Sequence, residues 1–230
     1  MIIVLKKKTV IIALVLLVAI IGCAIAGAVC SAKSKTAAAG QKVIVIDAGH
    51  GGSDKGVIGK NGTVEAEKNL EISNMLKELL SDAGFFVVMT RTTDAGADEA
   101  ASFKKEDFDR RKKIVENASP DMLISVHCNK FPSSDRRGAQ VFYNPLSGEG
   151  RTLAKILQES LNSLNSAHVG RLFDALGGEY FMLNCTTAPS VIVECGFLSN
   201  PEDEKLLCDK DYLDRFVYSI YGGIVDYLES

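Results

Sequence analysis

The 230-residue chain sets 26 Lys and Arg against 29 Asp and Glu, a net charge of −3, and is 47% hydrophobic. No dense basic stripe follows the N-terminus, which argues against a nucleic-acid surface. The absence of Trp and an aromatic content of 7% argue against a stacking platform for bases or sugar rings.

Lys6, Lys7 and Lys8 precede Val10–Val29, twenty residues without a charge and long enough to cross a bilayer as a helix. The basic end, 1–8, is expected to stay in the cytoplasm while the rest is exported. Segment 9–30 is read as a membrane anchor. The alternatives are a cleaved signal peptide, with small residues around Ala24–Ala28, and lipid attachment at Cys23. Each places the remainder on the extracytoplasmic face of the membrane, anchored or secreted. Residues 31–41 are small and polar and read as a linker. That leaves 42–230 as one domain with room for a substantial core.

Val43–Ile46 is a run of four apolar residues, read as a strand buried on both faces. It turns at Asp47 into Gly49-His50-Gly51-Gly52. A His at the C-terminal mouth of such a strand lies where ligands bind in open α/β sheets. The glycines let the backbone bend and let something approach the imidazole. Lys55–Thr63 reads as a loop. A helix is predicted from Thr63, with Leu70, Met75, Leu76, Leu79 and Leu80 near helical spacing and Gly84 just past its end.

Phe85–Met89 is predicted as a strand and Asp94–Lys105 as a polar loop or frayed helix. Phe108–Ala118 is predicted as a helix stopped before Pro120. Met122–Val126 is a strand that delivers His127, and Gly138–Tyr143 is another. A helix over Gly150–Leu164 precedes a short strand at Tyr180–Leu183 and a last strand, Pro189–Val193, that delivers Glu194. Asn200 as N-cap, Pro201 behind it and a run of acids start a helix. Tyr212, Phe216, Ile220, Ile224 and Leu228 make a final packing helix. The alternation predicts a single α/β domain, a mixed and largely parallel sheet of about six strands with helices on both faces.

Cys128, Cys185, Cys195 and Cys208 have no CxxC spacing and read as small core residues. A disulfide between Cys185 and Cys195 is the alternative. His168 sits in a polar segment and reads as solvated.

His50, His127 and Glu194 each follow a nearly all-apolar run. On one edge of a parallel-type sheet they can converge. Two neutral imidazoles plus a carboxylate form a catalytic zinc set that leaves a fourth position for water. Glu65 or Glu67 can supply the carboxylate, although a helix favours acids in its first turn in any case. Two positions lie about 200° apart around a helix, so both cannot face one metal. Glu194 follows Ser190-Val-Ile-Val193, where an acid is costly unless it is paired or has a task. It suits a general base that takes a proton from the attacking water and returns it to a leaving group.

Asp47-Ala-Gly-His-Gly-Gly52, Ser125-Val-His-Cys-Asn129 and Val193-Glu-Cys-Gly-Phe-Leu-Ser-Asn-Pro201 resemble the motifs of the zinc-dependent N-acetylmuramoyl-L-alanine amidases of bacterial cell walls, the family often called Amidase_3. The resemblance runs from about Lys42 to Leu228. It implies a mixed six-stranded sheet flanked by helices, with His50 and His127 as zinc ligands and Glu194 as the catalytic glutamate. Glu67-Lys68 matches the family's usual letters for the third ligand. The register set by Leu70-Glu71-Ile72 and Gly84 instead puts that ligand at Glu65, with Ala66 as a departure. Arg111 matches an Arg common in the family, as an ion-pair or a substrate residue.

The implied reaction is hydrolysis of the amide between the lactyl group of N-acetylmuramic acid and L-alanine of the stem peptide. Peptidoglycan is then the substrate, and an activating protein is left unidentified. The short architecture resembles the sporulation and germination amidases, with a vegetative or cell-separation amidase as the alternative. Two other classes fit the same fold: a wall-binding regulator that does not catalyse, and a zinc peptidase acting on the stem.

Overall fold

The computed structural model describes residues 37–38, 40–94, 104–166 and 172–230. The expected segments 1–8 and 9–30, Cys23 among them, lie outside those residues, as does His168. Among the described residues no helix is long and apolar enough to cross a membrane. The last residues of the expected linker are tied to the domain, because Gln41 Nε2 donates to the Gly84 carbonyl at 2.8 Å.

Strand β1 (Val43–Ala48) runs between β2 (Phe86–Met89) and β3 (Met122–Asn129), parallel to both. Strand β6 (Ser190–Phe197) continues the parallel array beside β3. Strand β4 (Gln140–Tyr143) then pairs antiparallel with β6, and the two-residue β5 (Leu176–Gly177) closes the edge parallel to β4. The order is β2-β1-β3-β6-β4-β5. The continuous apolar runs of β1, β3 and β6 suit interior strands covered on both faces.

The two coverings are unequal. Ile44, Ile46, Ile124, Val126 and Val193 face a large core built chiefly with α1 (Glu65–Asp82), α3 (Gly148–Asn165) and α5 (Lys210–Glu229). Ile72, Leu76, Leu153 and Phe216 are fully buried there, each contributing about 1.5–3 kcal/mol of transfer free energy. On the opposite face Val45 and Leu123 meet Val115 of α2 (Lys104–Ala118), with Met182 and Cys185. That second cluster is small, and the same face carries Asp47, Ser125 and His127.

Helix boundaries follow the local chemistry. Gly84, at φ +90°, ends α1 and leads straight into β2, with Phe85 N–H returning to the Leu80 carbonyl at 3.0 Å. At the start of α1 no side chain caps; the first N–H groups reach back to the loop instead, Glu65 to the Val57 carbonyl at 2.9 Å and Ala66 to that of Lys55 at 3.2 Å. Asn200 caps α4 (Pro201–Cys208) as expected, accepting from Glu202 and Asp203 N–H at 2.9 and 3.0 Å. The Asp209 side chain opens α5 by accepting from Tyr212 N–H at 2.8 Å.

Two expectations are corrected. Tyr180–Leu183 is not a strand: the chain bends and forms a 3-10 turn at Met182–Asn184, closed by Asn184 Nδ2 on the Tyr180 carbonyl at 2.9 Å. Met182 and Leu183 are both buried, which consecutive residues of a one-sided strand would not be. Cys208 is exposed at the end of its helix and is not a core residue, whereas Cys128, Cys185 and Cys195 are buried as expected; all four described cysteines are free, so the alternative Cys185–Cys195 disulfide is not formed. Cys195 belongs to the large core and Cys185 to the small one, so the sheet stands between them. Cys128 and Cys195 share the large core, where the Cys195 thiol donates to the Val193 carbonyl at 3.7 Å.

Candidate metal and catalytic site

The turn after β1 carries His50 at φ +59°, a left-handed conformation that typically costs a non-glycine residue about 1–3 kcal/mol. Two buried arginines hold it there. Arg111 donates to the carbonyls of Ala48 at 2.7 Å and His50 at 2.6 Å. Arg91 donates to Ala48 at 2.8 Å, Gly49 at 2.9 Å and, across the gap to α1, Ala66 at 2.7 Å. Three successive carbonyls are thereby fixed, and the imidazole is aimed outward.

Both guanidiniums are buried at 2–3% exposure and need counter-charge. Asp47 meets Arg111 Nη1 at 2.7 Å, and Asp107 meets its Nε at 2.6 Å. Asp47 accepts further from Thr90 at 2.7 Å and Ser125 at 2.6 Å. Burial disfavours its charge, but Arg111 and the two hydroxyls outweigh that and keep the Asp47 carboxyl below its ordinary value. Arg111 is thus an ion-pair residue of the scaffold. Burial and the neighbouring Arg111 lower Arg91 to about 10, still cationic at neutral pH.

Glu65 opens α1 and is 2% exposed, whereas Glu67 faces solvent. Glu65 Oε1 lies 3.2 Å from His50 Nε2 and 3.1 Å from His127 Nδ1. The two rings meet edge-on, centroids 5.0 Å apart. On its far side His50 Nδ1 contacts Asp54 Oδ2 at 3.0 Å, which leaves Nε2 as the nitrogen facing Glu65. The carboxylate of Glu65 is held by backbone N–H groups, Val57 to Oε2 at 2.8 Å and Cys128 to Oε1 at 3.2 Å. Burial opposes its ionisation, but the bonds from His127 and His50 prevail and hold it far below the usual carboxylate range.

Glycine makes this proximity possible at two points. A Cβ on Gly49 would lie 2.2 Å from the His127 ring, and one on Gly56 would lie 2.5 Å from Glu65 Oε2. Donor atoms of His50, Glu65 and His127 all lie within 4.8 Å of one another.

Glu194 stands opposite His127 in the β3–β6 pairing. Its Oε2 is shut off from solvent and has no hydrogen-bond partner among the described residues. Burial, chiefly, raises its carboxyl to about 7; the charge of Glu65 adds to this, while His127 and His50 pull the other way. All four residues expected from the sequence therefore come together at the C-terminal edge of β1, β3 and β6. Arg91, Asp54 and Asn69, which donates to Gly49 O at 3.1 Å, complete the surroundings. None of the three has a signal in the sequence beyond its polarity.

An open α/β sheet that gathers two imidazoles and a carboxylate beside an acid whose Oε2 is buried without a hydrogen-bond partner among the described residues is the layout of a hydrolase of the metal-dependent kind. Residues 44–226 match the Amidase_3 family model, N-acetylmuramoyl-L-alanine amidase, and the chain belongs to that family. It is 35% identical, over 81% of its length and 79% of the relative's, to the germination-specific N-acetylmuramoyl-L-alanine amidase of Bacillus subtilis. It is 31% identical to the probable amidase AmiB of Haemophilus influenzae, of which it spans 51%. Among solved structures, the CwlD amidase of Clostridioides difficile in complex with the GerS lipoprotein superposes with a TM-score of 0.76 at 34% identity, over 82% of this chain and 99% of that one. The CwlV catalytic domain of Bacillus (Paenibacillus) polymyxa var. colistinus gives 0.70 at 29%, over 82% and 99%. The chain is a peptidoglycan amidase.

Proposed function

We propose that His50, Glu65 and His127 hold a zinc ion and that Glu194 carries the proton in cleavage of the lactyl–L-alanine amide. The observation that carries this is the convergence of His50 Nε2, His127 Nδ1 and a Glu65 oxygen beside the unpartnered Glu194 Oε2. Two neutral imidazoles and one carboxylate are a donor set that zinc favours. When bound, such an ion polarises the scissile carbonyl and makes the attacking water more acidic.

The chain's own residues do the rest. Asp54 fixes which nitrogen of His50 is free. Backbone N–H groups of Val57 and Cys128 orient Glu65. Glu194 takes the proton from water and hands it to the departing amine of L-alanine. Burial raises the Glu194 carboxyl to about 7, which suits a group that takes up and returns a proton near neutral pH.

By likeness to the germination-specific relative and the CwlD structure, we place this chain in remodelling of spore peptidoglycan. The domain works outside the cytoplasmic membrane, held there by segment 9–30, and a lipoprotein is the candidate partner. Glu194→Ala should keep zinc, measured by metal analysis, while hydrolysis of muropeptides disappears. Mass analysis of wild-type products should show L-alanine with a free amine released from the lactyl group. Cleavage within the stem peptide instead would make the enzyme a peptidase and overturn the assignment.

A further inference from the structure

Beyond β3 the chain crosses the sheet edge in loop 130–138. Its anchors come from the segment that leaves β6. Phe131 N–H donates to Ser199 Oγ at 3.0 Å, Asn200 Nδ2 to the Ser134 carbonyl at 2.6 Å, and Gly138 N–H to Asp203 at 2.7 Å. The loop is therefore fixed to the segment and helix that follow the strand carrying Glu194. Two arginines sit on it. Arg137 is matched with Asp203 at 3.6 Å. Arg136 is exposed, and its guanidinium lies over the rings of Phe131 at 4.4 Å and Phe173 at 5.7 Å. No carboxylate among the described residues is within ion-pair distance of it.

Arg136 lies on a defined side of the site. The Phe173 ring packs on Phe197, the last residue of β6, with centroids 6.1 Å apart. Next to it, the Asp174 carbonyl accepts from Gln140 Nε2 at 3.3 Å. Gln140 stands opposite Glu194 in the β4–β6 ladder. A set of contacts thus leads from Gln140, the ladder partner of Glu194, through the Phe173–Asp174 segment to Arg136.

We propose that Arg136 is the receptor for the free carboxylate of the stem residue that follows L-alanine. The inference rests on the amidase reading with Glu194 as acid. Because Glu194 gives its proton to the departing amine, the peptide occupies the Glu194 side of the donor set, where Arg136 stands. A guanidinium braced by ring faces keeps its N–H edge free, and that edge matches a carboxylate with two parallel hydrogen bonds. Arg136 is thereby a specificity residue that tells a free-acid stem from an amidated one.

The test uses two synthetic muramyl peptides that differ only in that carboxylate, free or as the carboxamide. Wild-type enzyme should prefer the free acid in kcat/KM by roughly 10–100-fold, mostly through KM, as expected for a charge-assisted pair. In Arg136→Gln the preference should collapse to within about threefold, and Arg136→Lys should recover part of it. Equal losses on both peptides would mean that the arginine only supports the two rings, and no change on the free acid would mean that it does not touch substrate; either overturns the proposal. If wild type cleaves neither peptide, the amidase reading fails by itself. Calorimetric binding of both peptides to Glu194→Ala, with and without Arg136→Gln, still decides the role of Arg136, and binding indifferent to the carboxylate overturns it.

Discussion

Arg111 Nη2 donates to the carbonyl of His50 at 2.6 Å, and the residue so held has φ +59°. A scaffold arginine is thus the direct support of an imidazole that faces the donor set. The strain at His50 is offset by contacts that the same guanidinium makes to Asp47, Asp107 and Ala48.

Removing that support should be felt twice. Arg111→Ala leaves Asp47 buried and uncompensated, and we expect about 3–5 kcal/mol of lost stability, read by urea unfolding. Zinc affinity should fall in the variant that still folds, Arg111→Lys, because a single ammonium cannot reach two carbonyls and two carboxylates together. Unchanged zinc affinity in Arg111→Lys would show that the backbone of His50 keeps its conformation unaided.

The acid limb of stability should carry the signature of Asp47. Its folded-state pKa lies below the unfolded value of about 4. Such a group contributes stability that is fully present above the unfolded pKa and is lost as pH falls through the folded one. Denaturant unfolding of the metal-free domain should therefore weaken below about pH 4. In Asp47→Asn, already destabilised at neutral pH, that acid slope should be shallower, and an identical slope would assign it to other carboxylates.

Gly49→Ala tests the packing of the turn. Its Cβ would fall 2.2 Å from the His127 ring, so the imidazole has to move. Zinc affinity should drop on the order of tenfold or more, the usual effect of disturbing the groups that orient a ligand, measured by competition with a chelating dye. The far-UV circular dichroism should stay that of the parent.

Glu65 and Glu67 should separate cleanly. Zinc at about 100 times its Kd should stabilise wild type by about 2.7 kcal/mol, and a chelator should remove the gain. Glu65→Gln should abolish this zinc-dependent shift in Tm. Glu67→Gln, on the solvent face of α1, should keep it. The reverse outcome would move the third ligand.

Much of this was legible because the chemistry sits at the ends of unbroken apolar runs. Val43–Ile46, Met122–Val126 and Ser190–Val193 announce interior strands, and each delivers a polar residue at the same edge. The choice between Glu65 and Glu67 was harder: helical periodicity says only that one of them faces inward, and burial of Glu65 at 2% against an exposed Glu67 supplies what periodicity could not. Arg91 was not legible, because its partners are backbone carbonyls, which leave no trace in side-chain patterns. Tyr180–Leu183 misled because a short apolar run fits a strand and a buried turn equally. Leu176–Gly177 has no strand pattern and pairs only because the β4 edge offers it partners.

The last strand in sequence, β6, lies in the middle of the sheet, between β3 and β4. A nascent chain therefore has His50, Glu65 and His127 long before it has Glu194, and until β6 inserts, β4 and β5 have no ladder to the other three strands. The strand that carries Glu194 is thus also the strand on which the joining of the two parts of the sheet depends.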